Sequence, residues 1–313
     1  MTGILSITFP IYGAITIGFL LVRFGWFSAQ DMRVLGNYVL NVALPALLFN
    51  AVSRRNIAEV FDGPYMLAFA MAGLATVALA YLWFALTRTE APRRAVAVMG
   101  TSCPNSGFIG YPVMLLIFPD IAGVILALNM LVENIVIIPV CLILMELSRG
   151  DQHGSLTRKI AAILWGVIKR PMVLGLLLGL VFSLLRIPMP EPVTRLFDMF
   201  AAAAAALSLL VIGGSLVGLP LRGNQWRAAQ IAVGKLLLHP AMAAFAVMSI
   251  GALGFALSDD MRIALILSAA MPMFGIYAVL AQEQGHEGMA SIAMLMATAG
   301  SFVTLSVLLA LLT

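Results

Sequence analysis

Cys103-Pro104-Asn105-Ser106-Gly107-Phe108-Ile109-Gly110-Tyr111-Pro112 sits in the middle of an apolar run from Val96 to Phe118. The run is long enough to cross a bilayer, which takes about 20 apolar residues. A plain spanning helix has no use for two prolines, two glycines and an asparagine at its centre. Pro104 and Pro112 each lack a backbone N–H and crowd the carbonyl four residues back. Gly107 and Gly110 let the backbone leave helical geometry at small cost. A helix interrupted at membrane depth exposes N–H and C=O groups that lipid does not satisfy, so the break survives only under protein or beside water. On this stretch alone, a proline-kinked helix with small residues for close packing reads equally well.

The second half of the chain favours a true break. Arg94 precedes Pro104 by ten residues, and Arg262 precedes Pro272 by ten. Gly107 and Gly275 each follow their proline by three, and the small residues Gly110 and Ala278 come three later. The offset is constant, 262 − 94 and 272 − 104 both giving 168. Ala270-Met271-Pro272-Met273-Phe274-Gly275 also interrupts an apolar run. Interrupted segments at corresponding positions of two halves mark a transporter binding site.

Composition agrees with a membrane chain. Of 313 residues 62% are hydrophobic and 10% charged, against about 25% charged in a soluble domain. Mean hydropathy is +1.04. The length allows ten helices and little else, and no stretch is polar enough for a soluble domain. The net charge of +4 does not imply nucleic acid, because the basic residues gather in short loops beside the spans. Cys103 and Cys141 both fall inside spans, so neither a disulfide framework nor a metal site is expected. There is no nucleotide loop, catalytic triad or zinc spacing, and Gly213-Gly214-Ser215 lacks the lysine of a phosphate loop. No cofactor is expected.

The predicted spans are 4–25, 32–53, 64–87, 93–118 and 121–147, then 171–186, 195–218, 228–256, 261–284 and 288–312. Residues 1–150 form a first five-helix repeat and 171–313 a second. Between them, 151–170 is a cytoplasmic linker whose Ile160–Ile168 piece can lie along the interface. With the N-terminus outside, inner loops hold twelve Lys and Arg and outer loops five, so both termini are predicted to face out. Five spans per half is odd, which inverts one repeat relative to the other.

At this point the residues resemble the auxin efflux carriers, a family whose bacterial members include proteins provisionally named malonate carriers. Pro10-Ile11-Tyr12 is similar to the family's first span, and Asn37-Tyr38-Val39 with Val42-Ala43-Leu44-Pro45 to its second. Pro104-Asn105-Ser106 followed by Gly110-Tyr111-Pro112 matches the most specific signature, Pro-Asn-[Ser/Thr]-x3-Gly-x-Pro. Lys235 with Pro240, and Pro272 with Ala281 and Glu283, resemble the eighth and ninth spans. The resemblance implies an all-α integral membrane fold of ten transmembrane helices in two inverted five-helix repeats. Its broken helices 4 and 9 cross, as in the bile-acid symporter and sodium–proton antiporter folds. It also implies a scaffold of spans 1, 2, 6 and 7 carrying a transport domain of spans 3–5 and 8–10. Two departures stand out: the long loop of the plant carriers is absent, and their third-span acid–base pair has no counterpart among Ala68 to Gly73.

Asn105 follows the first break with an amide that both donates and accepts. The half-helix beyond it carries roughly +0.5 charge at its N-terminus, which suits a carboxylate. Asn105 can equally cap its own half-helix, and the two roles are compatible. Candidate substrate contacts are Asn105, Ser106, Gly107 and Gly110, with Pro45, Asn134, Met271 and Gly275; Pro104, Pro112 and Pro272 shape the crossover. Glu133 lies mid-span in Asn129-Met130-Leu131-Val132-Glu133-Asn134, where a charge costs about 2.5–3.5 kcal/mol on insertion scales. It is either protonatable machinery or a structural hydrogen bond. Lys235 and His239, four apart, are candidate coupling groups with Glu133; alternatively Lys235 snorkels to the inner interface.

The reading is a secondary transporter of a small organic anion, a malonate- or auxin-like carboxylate, working by elevator-type alternating access, proton-coupled or uniport, and no enzyme. A small carboxylate, protons, lipid and a second copy of the chain are the expected partners, and the bacterial cytoplasmic (inner) membrane the expected place. A receptor that binds without transport, or an intramembrane enzyme acting on lipid, are the alternatives; His239 with Ser249 is poor material for the latter.

Overall fold

The computed structural model describes residues 2–55, 61–148, 156–220 and 222–312. Most of the linker expected from Ser148 to Lys159, including Gly154, lies outside the described residues. In chain order the helices are α1 (Thr2–Arg23), α2 (Ala29–Tyr38), α3 (Leu44–Ser53), α4 (Gly63–Leu86), α5 (Ala91–Ser102) and α6 (Tyr111–Ile117). Then come α7 (Ala122–Val132), α8 (Ile138–Ser148), α9 (Leu156–Ile168), α10 (Pro171–Leu185) and α11 (Glu191–Ser215). The last are α12 (Gln225–Val233), α13 (His239–Ala252), α14 (Asp259–Ala270), α15 (Tyr277–Gln282) and α16 (Glu287–Leu312). Four π-helical turns join them: Val39–Ala43, Ser106–Gly110, Glu133–Ile137 and Gly234–Leu238. No strand occurs among the described residues beyond an isolated antiparallel bridge from Pro104 to Met273.

Among the described residues, seven helical runs are long and apolar enough to cross a membrane. An eighth is reached if the bent pair Ala161–Ile168 with Pro171–Leu185 counts as one. The expected spans 93–118 and 261–284 are each in pieces, and proline is the cause. Proline disfavours the helical region for the residue before it. Cys103 (φ −95, ψ 108) and Met271 (φ −61, ψ 146) are accordingly extended. α5 stops at Ser102 and α14 at Ala270, and 270 − 102 is again 168.

Four other prolines lie in helical runs that continue past them. Pro45, Pro112, Pro139 and Pro240 each stand six residues after the first residue of a π turn. In three of these turns the N–H of the residue before the proline reaches five back: Leu44 to Val39, Ile138 to Glu133 and His239 to Gly234. Widening the turn moves the carbonyl that the ring would otherwise strike. Pro10 is carried within α1 without such a turn.

The chain divides into two compact units. One comprises Met1–Gly63, Ser106–Leu131 and Val167–Gly218. Here α1 lies on α11 with backbones touching: a side chain at Gly18 would strike the Leu210 carbonyl, and one at Gly213 the Ile15 carbonyl. α10 approaches α3 the same way, a Cβ at Gly175 falling 2.6 Å from the Pro45 oxygen and one at Gly179 3.0 Å from that of Phe49. Small residues let helices approach this closely where lipid offers no hydrophobic drive between them. Asp198 accepts from Arg54 at 2.6 Å and from the Asn50 amide at 2.9 Å.

The other unit comprises Pro64–Asn105, Val132–Gly166 and Leu219–Thr313. α12 packs along α16, where Gly288 sits under the Arg222 carbonyl. The Arg227 guanidinium donates to Thr87 O and Oγ1, both at 2.9 Å, tying the start of α12 to the loop after α4. Beside these basic ends His286 is held below the usual imidazole value by burial and by Arg93, with Glu90 opposing.

Candidate functional site

In the second unit the two extended segments left by the breaks lie against each other. Pro104 bridges Met273, and the Asn105 N–H donates to the Pro272 carbonyl at 2.9 Å. Two segments stripped of helical partners thus meet part of each other's backbone demand, as a break inside a membrane requires. Everything at the pairing is buried: Asn105 is 3% exposed, Met271 0% and Met273 1%. Gly275 is different, being exposed with open space where a Cβ would stand. Its place in the repeated spacing therefore answers to no steric need.

Tyr277 opens α15 just past the second break and is fully buried. Its hydroxyl donates to the Val96 carbonyl of α5 at 3.1 Å, and its ring lies over Gly100. Sequence reasoning missed this contact; the available signal was a glycine within the apolar half-helix ahead of Pro104.

Lys235 does not snorkel. It is 0% exposed, and its ammonium donates to the Ala269 carbonyl at 2.7 Å while Nζ lies 2.7 Å from His239 Nδ1. The π turn at Gly234–Leu238 carries it, with Gly234 pressed on Thr101 (2.9 Å from an added Cβ to Cγ2). His239 is 1% exposed and its ring stacks on Phe69 at 6.5 Å between centroids. Glu133 and Asn134, each 2% exposed, open the π turn at Glu133–Ile137. The Glu133 carboxyl acts electrostatically on both Lys235 and Cys103. The structure thus brings Glu133, Lys235 and His239 into one unit with Asn105. Cys103 and Cys141 are free and buried, their sulfurs 3.8 Å apart, with Ser102 Oγ 3.4 Å from Cys141.

The remaining candidates fall in the first unit. Ser106, Gly107, Gly110 and Pro112 are buried there, a Cβ on Gly107 coming 3.1 Å from Leu44 Cδ1. Pro45 is half-buried, and its backbone oxygen faces Gly175. The segment after Asn105 begins as a π turn before the α-helix starts at Tyr111.

The sequence model of the membrane transport protein family matches residues 4–309. The chain belongs to that family. The resemblance to the auxin efflux carriers therefore holds over nearly the whole chain. A protein of Rhizobium meliloti (strain 1021), provisionally named a malonate transporter, is 27% identical over 99% of this chain and 96% of its own. An uncharacterized transporter of Methanothermobacter thermautotrophicus is 27% identical over 86% of this chain and 85% of its own. The uncharacterized transporter YfdV of Escherichia coli (strain K12) is 25% identical over 85% and 83%. As a member of the membrane transport protein family, the chain is a multi-pass membrane transporter and not an enzyme.

Proposed function

We propose that the protein moves a small organic anion, a carboxylate of the size of malonate, across the bacterial cytoplasmic membrane by alternating access. The observation that carries this is the paired break: α5 and α14 stop at corresponding residues, and buried Asn105 stands where their extended ends meet. Discontinuous helices at mid-membrane put backbone dipoles and an amide where a charged solute can use them. The name of the Rhizobium relative points to the same substrate class. In this proposal ten spans form two inverted repeats with both termini outside. Spans 3–5 and 8–10 move as a transport domain against spans 1, 2, 6 and 7, and a second copy of the chain can steady that scaffold. Met271-Pro272-Met273 offers no side-chain oxygen to sodium, so a proton or no coupling ion fits better. Radiolabelled malonate uptake into proteoliposomes is the test. Saturable, substrate-competed flux supports the proposal; tight binding without flux would make the protein a receptor for that anion.

A further inference from the structure

α14 ends abruptly. Its last carbonyls, those of Leu267 to Ala270, have no helical donor of their own, and the negative end of the helix dipole lies there. Met271 N–H serves Ser268 at 3.3 Å. The donor that would serve Ala269 in a continuous helix is the Met273 N–H, but the chain is extended at Met271 and Met273 pairs with Pro104. Into this position comes Lys235, wholly buried, with Nζ 2.7 Å from the Ala269 oxygen. Ala269 is itself 0% exposed, so water does not share the contact. Half-helix C-termini and unwound carbonyls are the places where transporters hold a free monovalent cation.

We infer that Lys235 is a tethered cation: its ammonium fills, at the C-terminus of α14, a seat with the chemistry of a monovalent-cation site. The other titratable groups around it are His239, at 2.7 Å through Nδ1, and Glu133 and Cys103 on the facing segments. Glu133 is the carboxyl that acts on Lys235 electrostatically. Lys235 is then a positioning residue, holding the end of α14 in place for the break beside it. This explains how the second break stands without side-chain oxygens. Cutting the tether should convert the protein into one that needs a soluble cation.

The experiment removes the ammonium and offers it back. In Lys235→Ala the missing side chain leaves room for methylammonium, ammonium or sodium, with choline as the control too large to enter. Melting of the full-length protein in nanodiscs is followed against each chloride salt. The expected result is a variant that melts below the parent in choline and rises with the logarithm of methylammonium concentration, as linkage requires, while the parent responds to none. A variant equally stable in choline and methylammonium overturns the inference, and so does one that fails to accumulate with every cation. Lys235→Met keeps the stem and drops the charge; it should melt below the parent and ignore methylammonium, and a parent-like melt would leave the ammonium without a role. The melting arm is independent of any substrate. Malonate uptake, which rests on the proposed function, should become methylammonium-dependent in Lys235→Ala. Absence of uptake by the parent counts against the substrate alone, and a cation-blind variant counts against the tether.

Discussion

Gly100→Ala tests whether the two interrupted helices are clamped together by Tyr277. An added Cβ at Gly100 would strike the Tyr277 hydroxyl, lie 2.5 Å from its Cζ and come 2.8 Å from Ile231 Cγ2. The ring cannot slide away freely, because it is fully buried and its hydroxyl is held by Val96. Overpacking of this kind costs about 1–3 kcal/mol, and losing the Tyr277–Val96 hydrogen bond adds about 1 kcal/mol. Against these, replacing glycine by alanine inside a helix gains about 1 kcal/mol. The balance is a destabilisation of about 1–3 kcal/mol, since the gain cancels the lost bond. Thermal melting in detergent, run at one scan rate because membrane proteins often unfold irreversibly, should show a clear fall. Gly13→Ala is the control: the glycine lies inside α1 with nothing within 4 Å of an added Cβ, so only the propensity gain applies. Gly100→Ala with Tyr277→Phe should recover part of the loss, because the hydroxyl contact goes while the Cζ contact remains. If Gly100→Ala melts with or above the parent while Gly13→Ala behaves as stated, the clamp is refuted.

Asn105→Ala should weaken carboxylate binding roughly ten- to hundredfold, the loss expected for a hydrogen bond to a charged group, and Asn105→Asp should bind less still. Isothermal titration with malonate measures both; Ser249→Ala, an exposed hydroxyl bonded within its own helix, is the neutral comparison, and parent-like binding by Asn105→Ala would move the site elsewhere. Asn50 is unsuited to that comparison, because its amide serves Asp198. Glu133→Gln should abolish the pH dependence of uptake while leaving binding measurable; an unchanged pH profile returns Glu133 to a structural role. A cysteine in place of Gly154, outside the described residues, should react with impermeant maleimide only from the cytoplasmic face, and labelling of intact cells would reverse the proposed orientation.

The breaks were legible because proline acts locally. Pro104 and Pro272 disfavour helical geometry at Cys103 and Met271, which are both extended, so the spacing of 168 in the sequence reappears in where the helices stop. The seat of Lys235 was not legible. A lysine nine residues into a span fits snorkelling as well as burial, and only the end of α14, a segment 34 residues further on, decides between them. Tyr277 against Gly100 was hidden for the same reason: each looked like ordinary packing until the fold placed one on the other. The π turns fall between these cases. Pro45, Pro112, Pro139 and Pro240 announced a local disturbance, yet a proline does not state whether its helix will kink, widen or end.

A π turn with α-helix on both sides amounts to one surplus residue accommodated within an otherwise α-helical path. Removing a residue from an ordinary α-helix rotates everything beyond it by about 100° and turns its buried face outward. At Val39–Ala43, Glu133–Ile137 and Gly234–Leu238, each with α-helix on both sides, the same deletion can be absorbed by tightening the turn, leaving both flanking faces in phase. Chain length is therefore negotiable at these three places as it is nowhere else along their helices. Relatives of this chain can differ there by single insertions and deletions while keeping Lys235 or Glu133 on the same side of its span.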